Sequence, residues 1–254
     1  MGFRKTLSPI ECAKLINDSR RIVALTGAGI STAAGIPDFR GPNGLYVTKR
    51  YDPWRVFDIE GFNLDPSYFY DFSRDFVSLT QGANPTFTHY FLARLEQMGK
   101  LHGIATQNID MFHQQAGNTN VVEIHGSYSS ASCQECDKKY QRLTYSWWDK
   151  AMTESPYPPI AYCRTCGGVL KPDIVFFGEP VLAYESAEKL IASCDLLLVL
   201  GSSLQVTPAS RLPYCTKSDT VVVNRGDVVL ENSRHRFFID TDLDSYFKEV
   251  AEMM

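Results

Sequence analysis

Short apolar runs alternate along this chain with segments whose apolar residues recur at the spacing of a helix face. The runs at 22–25, 103–107, 121–125, 173–177, 195–200 and 220–224 read as strands, and 84–98, 183–193 and 241–252 as helices. Leu196-Leu197-Leu198-Val199-Leu200 has no polar alternation, the pattern of a strand covered on both faces. Strands separated by helices in this way predict an α/β fold built on a doubly wound, mainly parallel sheet. Ligands of such sheets lie beyond the carboxyl ends of the strands.

Ser8-Pro9-Ile10-Glu11 supplies a cap, a proline at the first helical position and a capping-box glutamate, so a helix is expected from there to about Arg20. The strand 22–25 follows at once. It ends in Thr26-Gly27-Ala28-Gly29-Ile30-Ser31, a glycine turn expected to open a short helix that stops near Gly35. Two stretches break the alternation: 36–80, rich in aromatics, Pro and Asp, and 126–172, with four paired cysteines and Ser-Pro-Tyr-Pro-Pro. Both read as insertions forming a smaller lobe. The expected organisation is a sheet domain made of 1–38, 81–125 and 173–254, a helical and loop insertion at 39–80, and a metal-binding module at 126–172. A groove between the lobes is the natural binding site.

Composition sharpens this picture by exclusion. The 254 residues are 44% hydrophobic and 21% charged, which fits one large globular domain carrying insertions. Lys+Arg 25 against Asp+Glu 29 gives a net charge of −4, and no long basic run occurs, which argues against binding driven by nucleic-acid phosphates or anionic lipid. No window approaches the ~18–20 consecutive apolar residues of a membrane span. Polar and capping residues arrive before an apolar leader can form, so a cytoplasmic, reducing location is expected. Met1, Gly2 and Thr6 match only the loose pattern for myristoylation, and a plain chain start is the simpler reading. The sequence leaves the oligomeric state open and is compatible with a monomer.

Cys133-Gln-Glu-Cys136 and Cys163-Arg-Thr-Cys166 are two CxxC pairs separated by 26 residues. Two such knuckles close a tetrahedron of thiolates around zinc, and the long spacer requires the chain to fold back. Disulfides and redox CxxC motifs are the alternatives, weakened by the expected reducing compartment and the lack of a thioredoxin-like context. Four cysteine ligands leave no open position for a catalytic water, so this zinc is expected to be structural. Cys12, Cys194 and Cys215 read as ordinary buried thiols.

Gly27 and Gly29 suit close backbone approach, and the N–H groups beyond them suit a diphosphate. The third glycine of the dehydrogenase fingerprint is replaced by Thr32, and no acidic residue stands about 20 positions on, which disfavours an ordinary dehydrogenase. Asp38, Phe39 and Arg40 follow; Arg40 suits a phosphate or a carboxylate, and Phe39 suits either a ligand ring or the core. Gln107 and Asn108 carry amides at a strand's end, suited to a carboxamide, a ribose or an ordered water. Asp110 reads equally as a helix cap. His125 ends the next strand beside Gly126, where an imidazole suits general-base work, whereas His89, His102, His113 and His235 read as structural.

Taken together these residues resemble the sirtuins, NAD-dependent protein lysine deacylases. The motifs GAGIS at 27–31, GIPDFRG at 35–41, TQNID at 106–110, HG at 125–126, the CxxC pairs, FGE at 177–179, GSSL at 201–204 and Asn224 fall in that family's order. The resemblance implies a Rossmann-like domain with a smaller lobe made of a zinc ribbon and a helical insertion. It implies that Ala28, Thr32, Phe39, Arg40, Gln107, Asn108, Ile109, Asp110, His125, Gly201, Ser202, Ser203, Asn224 and Arg225 line the NAD site, with Asp242 on the adenine side. It also implies that the backbone of Val175, Phe176, Phe177, Gly178 and Glu179 pairs with an extended acetyl-lysine peptide.

In the implied reaction the acyl carbonyl oxygen attacks C1′ of the nicotinamide ribose as nicotinamide leaves. His125 then acts as base for the ribose hydroxyls, and Asn108 is implied as a second catalytic residue that, with Ile109 and Asp110, holds the nicotinamide end. The 2′-oxygen attacks the resulting alkylimidate, and water completes the reaction, releasing free lysine and 2′-O-acyl-ADP-ribose. Sirtuins acting on succinyl or malonyl lysine resemble one another in a tyrosine followed three positions later by arginine. Here Tyr70 is followed by Ser73 at that place and Arg74 one residue late, so acetyl and apolar acyl groups are favoured. Two other functions fit parts of the pattern: protein mono-ADP-ribosylation, and a non-catalytic zinc-ribbon scaffold.

Overall fold

The computed structural model describes residues 5–38, 50–154 and 157–254. Helix α1 (Pro9–Asp18) starts at the capping box, in which the Ser8 N–H donates to the Glu11 carboxylate at 2.8 Å. It leads into β1 (Ile22–Thr26), every residue of which is buried. The remaining parallel strands are β2 (Leu101–Thr106), β3 (Val121–Glu123), β7 (Leu196–Leu200), β8 (Asp219–Val223) and β9 (Arg236–Ile239). They form a six-stranded sheet in the order β3-β2-β1-β7-β8-β9, with every pairing parallel. The strand order reverses between β1 and β7, which opens a crevice at their carboxyl ends.

Alternation along β1 divides the core. Ile22 and Ala24 face a cluster with Cys12, Ile16, Leu92 and Phe247. Val23 and Leu25 face another with Ala187, Ile191 and Leu212. The first face is covered by α1, α5 (Phe87–Gln97) and α9 (Leu243–Glu252), and the second by α8 (Tyr184–Ala192) with the 3₁₀ segment Ala209–Tyr214. Burial on both sides explains why these strands are apolar throughout.

The smaller lobe has its own core. Short helices α2 (Pro53–Val56) and α3 (Ile59–Leu64) and the longer α4 (Ser67–Gln81) pack with α7 (Tyr145–Thr153) on a three-stranded antiparallel sheet. That sheet runs β5-β4-β6, from β4 (Gly126–Cys133), β5 (Lys139–Gln141) and β6 (Leu170–Ile174). Phe57, Phe62, Phe69, Tyr128, Trp148 and Phe176 are buried at its centre. Helix α6 (Phe112–Ala116) connects β2 to β3.

Two expectations are corrected and two strands are added. The run 173–177 is not a strand of the large sheet: the strand there is Leu170–Ile174, it belongs to the small sheet, and Phe176 is apolar because it fills the aromatic core of the smaller lobe. The glycine turn opens two 3₁₀ turns, Ala28–Ile30 and Thr32–Ala34, rather than one helix, and Gly35 ends the second at φ +87°. Strand β9 and the serine-rich β4 were not foreseen. Among the described residues no helix is long and apolar enough to cross a membrane.

Candidate active site

The crevice is built by glycines that let two turns touch. A Cβ on Gly27 would stand 2.8 Å from the Gly201 carbonyl oxygen, and one on Gly29 would stand 2.8 Å from the Gly201 Cα. Gly201, at φ +62°, is equally tight, since a Cβ there would lie 2.3 Å from the Ile30 nitrogen. Gly27 donates to Leu200 O at 3.0 Å and Gly29 to Gly201 O at 2.9 Å. The glycines therefore serve first to lock the turn after β1 against the turn after β7.

The end of β2 supplies the polar floor. Gln107 donates through Nε2 to Ser202 Oγ at 2.9 Å, joining two of the expected residues across the crevice. The Asn108 amide donates to Gly27 O at 3.2 Å and to Asp110 Oδ2 at 3.2 Å. Asp110 is buried and also accepts from Ser31 Oγ at 2.6 Å and from the Phe112 N–H at 3.0 Å. Burial raises its pKa, and the Ser31, Phe112 and Asn108 donors act against that rise. Asp110 thus orders the loop, as a cap would, while remaining within the expected cluster. Ser31, which the sequence reading left out, is part of it; its place in GAGIS was the available signal.

His125 is partly buried, and its Nδ1 lies 3.0 Å from the Gln107 carbonyl oxygen. A carbonyl only accepts, so Nδ1 carries the proton and Nε2 presents its lone pair. Burial lowers the His125 pKa from 6.5, against the raising effect of the Gln107 bond, which keeps the ring neutral at neutral pH. Its backbone oxygen accepts from the Val175 N–H at 2.9 Å, so the base and the segment 175–179 are directly tethered. Gly126 allows this join: it sits at φ +70°, and a Cβ would fall 1.8 Å from Asp173 O.

Segment 175–179 is held by its own contacts. Glu179 Oε2 accepts from the Phe176 N–H at 2.8 Å and from Lys171 Nζ at 2.9 Å. Phe177 donates to Phe57 O at 2.6 Å and accepts from the Ile59 N–H at 3.2 Å. Phe176 points into the aromatic core and Phe177 outward, so their side chains do different work.

The other expected residues make local contacts of their own. Ala28 opens the first 3₁₀ turn, Thr32 donates to Gly29 O at 3.0 Å, and Ser203 O accepts from the Val229 N–H at 2.9 Å. Ile109 packs against the small-lobe core. Asn224 follows β8 and bonds to Arg225 O at 3.0 Å, while Arg225 reaches Asp242 at 3.3 Å. Asp242 caps α9 by accepting from the Ser245 N–H at 3.0 Å, a local role that sequence alone did not separate from ligand contact. Phe39 and Arg40 lie outside the described residues.

The ligand atoms of Cys133, Cys136, Cys163 and Cys166 all lie within 4.8 Å of one another. Cys133 and Cys166 sulfurs are 3.4 Å apart, and those of Cys136 and Cys163 are 3.9 Å apart. Sulfurs on a tetrahedron with Zn–S of about 2.3 Å stand about 3.8 Å apart, so the set fits zinc. Backbone N–H groups of Glu135, Thr165 and Gly168 each point at a sulfur at 3.4 Å, which stabilises thiolates. The Tyr140 hydroxyl beside Cys163, together with the Thr165 and Cys166 backbone N–H groups, lowers that thiol's pKa.

A reversing parallel sheet, locked glycine turns, strand-end amides and a four-cysteine module define a dinucleotide-binding α/β protein with a structural metal site. The Sir2 family profile matches residues 27–208, and the chain belongs to the Sir2 family. It is 42% identical over 244 residues to an NAD-dependent protein deacetylase of Thermotoga maritima, covering 95% of this chain and 94% of that one. A protein of the same description from Sulfurisphaera tokodaii is 44% identical over 229 residues, 88% of each chain. Among solved structures, a Sir2 variant with a deacetylated p53 peptide and 3′-O-acetyl-ADP-ribose superposes with a TM-score of 0.86 at 38% identity, covering 97% of this chain and 98% of that one. A Sir2 bound to acetylated peptide gives a TM-score of 0.83 at 35% identity, with 97% and 98% covered.

Proposed function

We propose that this chain is an NAD-dependent protein lysine deacetylase that transfers the acetyl group to ADP-ribose. The observation that carries the reading is His125, whose proton is fixed on Nδ1 and whose backbone holds the segment expected to bind the peptide. NAD is consumed as a substrate and supplies the ribose carbon that receives the acyl oxygen. Gln107, Asn108, Asp110, Ser202 and Asn224 hold the dinucleotide, and the neutral Nε2 of His125 takes the proton from a ribose hydroxyl. Desolvation and alignment between the lobes compensate for the weak nucleophilicity of an amide oxygen.

Acetyl and other apolar acyl groups are the substrates in this reading. Tyr70 is fully buried and its hydroxyl donates to Leu170 O, while Arg74 is drawn to Asp71 at 3.8 Å and Asp75 at 3.6 Å. Both side chains are thus engaged away from a distal carboxylate. The zinc module fits a reducing compartment, in line with a cytoplasmic enzyme.

Incubation with NAD and acetyl-, propionyl- and succinyl-lysine peptides tests the proposal. The expected result is one nicotinamide per acyl group removed, with acetyl and propionyl peptides turned over in preference to succinyl. A peptide made heavier by ADP-ribose instead identifies a transferase, and intact NAD identifies a non-catalytic scaffold.

A further inference from the structure

We infer that Trp54 is a specificity-determining residue, forming with Phe177 an aromatic shelf for an apolar or aromatic peptide side chain flanking the acyl-lysine. This rests on the deacetylase reading above. Trp54 is 59% exposed and Phe177 38% exposed, yet their rings stack with centroids 4.4 Å apart and planes at 28°. Two large rings that stay in water while covering each other form a rigid surface whose outer faces remain to be desolvated by a ligand.

The shelf is continuous with the segment expected to bind peptide. Phe177 has its backbone N–H and C=O engaged by Phe57 and Ile59, in a parallel bridge to Asp58. What Phe177 offers a peptide is therefore its ring rather than a ladder of hydrogen bonds. Gly178 turns the chain at φ +95° against Ile59, whose Cγ2 would lie 2.9 Å from a Cβ there, so the seam between the two segments is closed.

Trp54 is also held from its own side. Its N–H donates to Asp52 Oδ1 at 3.0 Å, and the Asp52 N–H donates to the Tyr68 hydroxyl at 3.0 Å. The next residue, Arg55, lies over the Tyr68 ring at 4.1 Å. The indole is therefore carried on a fixed backbone, and a flanking side chain meets it with little ordering of the enzyme. Backbone pairing alone reads no sequence; the shelf adds a side-chain preference at one flank.

The test uses acetyl-lysine peptides that differ at single flanking positions, as Phe, Leu, Ala, Asp or Lys, assayed with the unmodified enzyme, Trp54→Ala and Trp54→Phe. At one flank the enzyme prefers Phe and Leu over Ala by about tenfold in kcat/KM. Trp54→Ala removes that preference through KM for the peptide, with KM for NAD as internal reference, and Trp54→Phe restores much of it.

A second readout does not depend on turnover. Of the three tryptophans, Trp148 is fully buried and Trp147 partly buried, so Trp54 is the solvent-facing reporter. Binding of a Phe-flanked peptide to His125→Ala shifts the tryptophan emission to the blue, and the shift is lost in the Trp54→Phe, His125→Ala double variant. An unchanged flank ranking in Trp54→Ala, a dependence on acyl length alone, or a preference for Lys overturns the shelf. No turnover of any peptide by the unmodified enzyme instead overturns the deacetylase reading, and the emission shift distinguishes the two failures.

Discussion

Replacing Lys171 by methionine removes the charge that fixes the turn after β6. The Lys171 side chain is 8% exposed, and its ammonium reaches Glu179 at 2.9 Å. It also donates to Ile174 O at 2.8 Å and lies 4.1 Å from the Phe176 ring centroid. At an effective dielectric of about 20, charges at that 2.9 Å separation attract by about 6 kcal/mol, from which the desolvation of both ions must be subtracted. Loss of one partner from a buried pair costs about 3–5 kcal/mol. Glu179 is 28% exposed and keeps the Phe176 N–H, so the expected loss falls to about 2–3 kcal/mol. Urea unfolding followed by circular dichroism measures it. In a Glu179→Gln background the same change should cost no more than about 1 kcal/mol, because the partner charge is already gone. Peptide KM should rise as the turn loosens. A loss below about 0.5 kcal/mol in the single variant, or equal losses in both backgrounds, would show that the Lys171–Glu179 pair does not hold the turn.

Two further perturbations address the buried histidines and the metal site. His89 is buried with its pKa lowered to about 3, and His113, also buried, is held well below 6.5 by burial and by its neighbour His89. The unfolded chain takes up protons on both below pH 6.5 while the native state does not, so stability falls as pH drops through that value, by about 2 kcal/mol per histidine between pH 7 and pH 5. His89→Phe should reduce the pH 7 to pH 5 difference in urea-derived stability by that amount; an unchanged difference would show that His89 is protonated in the native state. For the metal, mass spectrometry should find about one zinc per chain, with Cys136→Ser or a strong chelator lowering the melting temperature and exposing the β4–β6 amides to hydrogen exchange. Full protection after complete zinc removal would rule out a structural metal.

The large sheet was legible because its central strands are buried on both faces, which forces unbroken apolar runs such as 196–200. The cysteine module was legible because thiol pairs at that spacing have few other uses. Segment 175–177 misled because an aromatic core and a helix-covered strand demand the same apolar residues. Strand β4 was hidden for the opposite reason: Ser130 and Ser132 are satisfied by the Asp173 carboxylate at 2.6 and 2.8 Å, so its small polar residues sit in a sheet without an alternating pattern. Gln107, Asn108 and His125 stand out by their positions at strand ends, whereas Asp110 reads equally as a helix cap and Ile109 enters only through the family resemblance. The Lys171–Glu179 pair and the Trp54–Phe177 stack join segments whose approach no local pattern encodes.

In the proposed reaction an acyl-lysine oxygen attacks the ribose held at the reversal of the sheet, with His125 promoting the steps that follow. A single-turnover reaction with NAD and a peptide whose acetyl carbonyl carries heavy oxygen follows that atom, read by fragment mass spectrometry of the quenched products. The heavy oxygen is expected at C1′ of the ADP-ribose product. Heavy oxygen retained in the acetyl group, with none on the ribose, would contradict that attack.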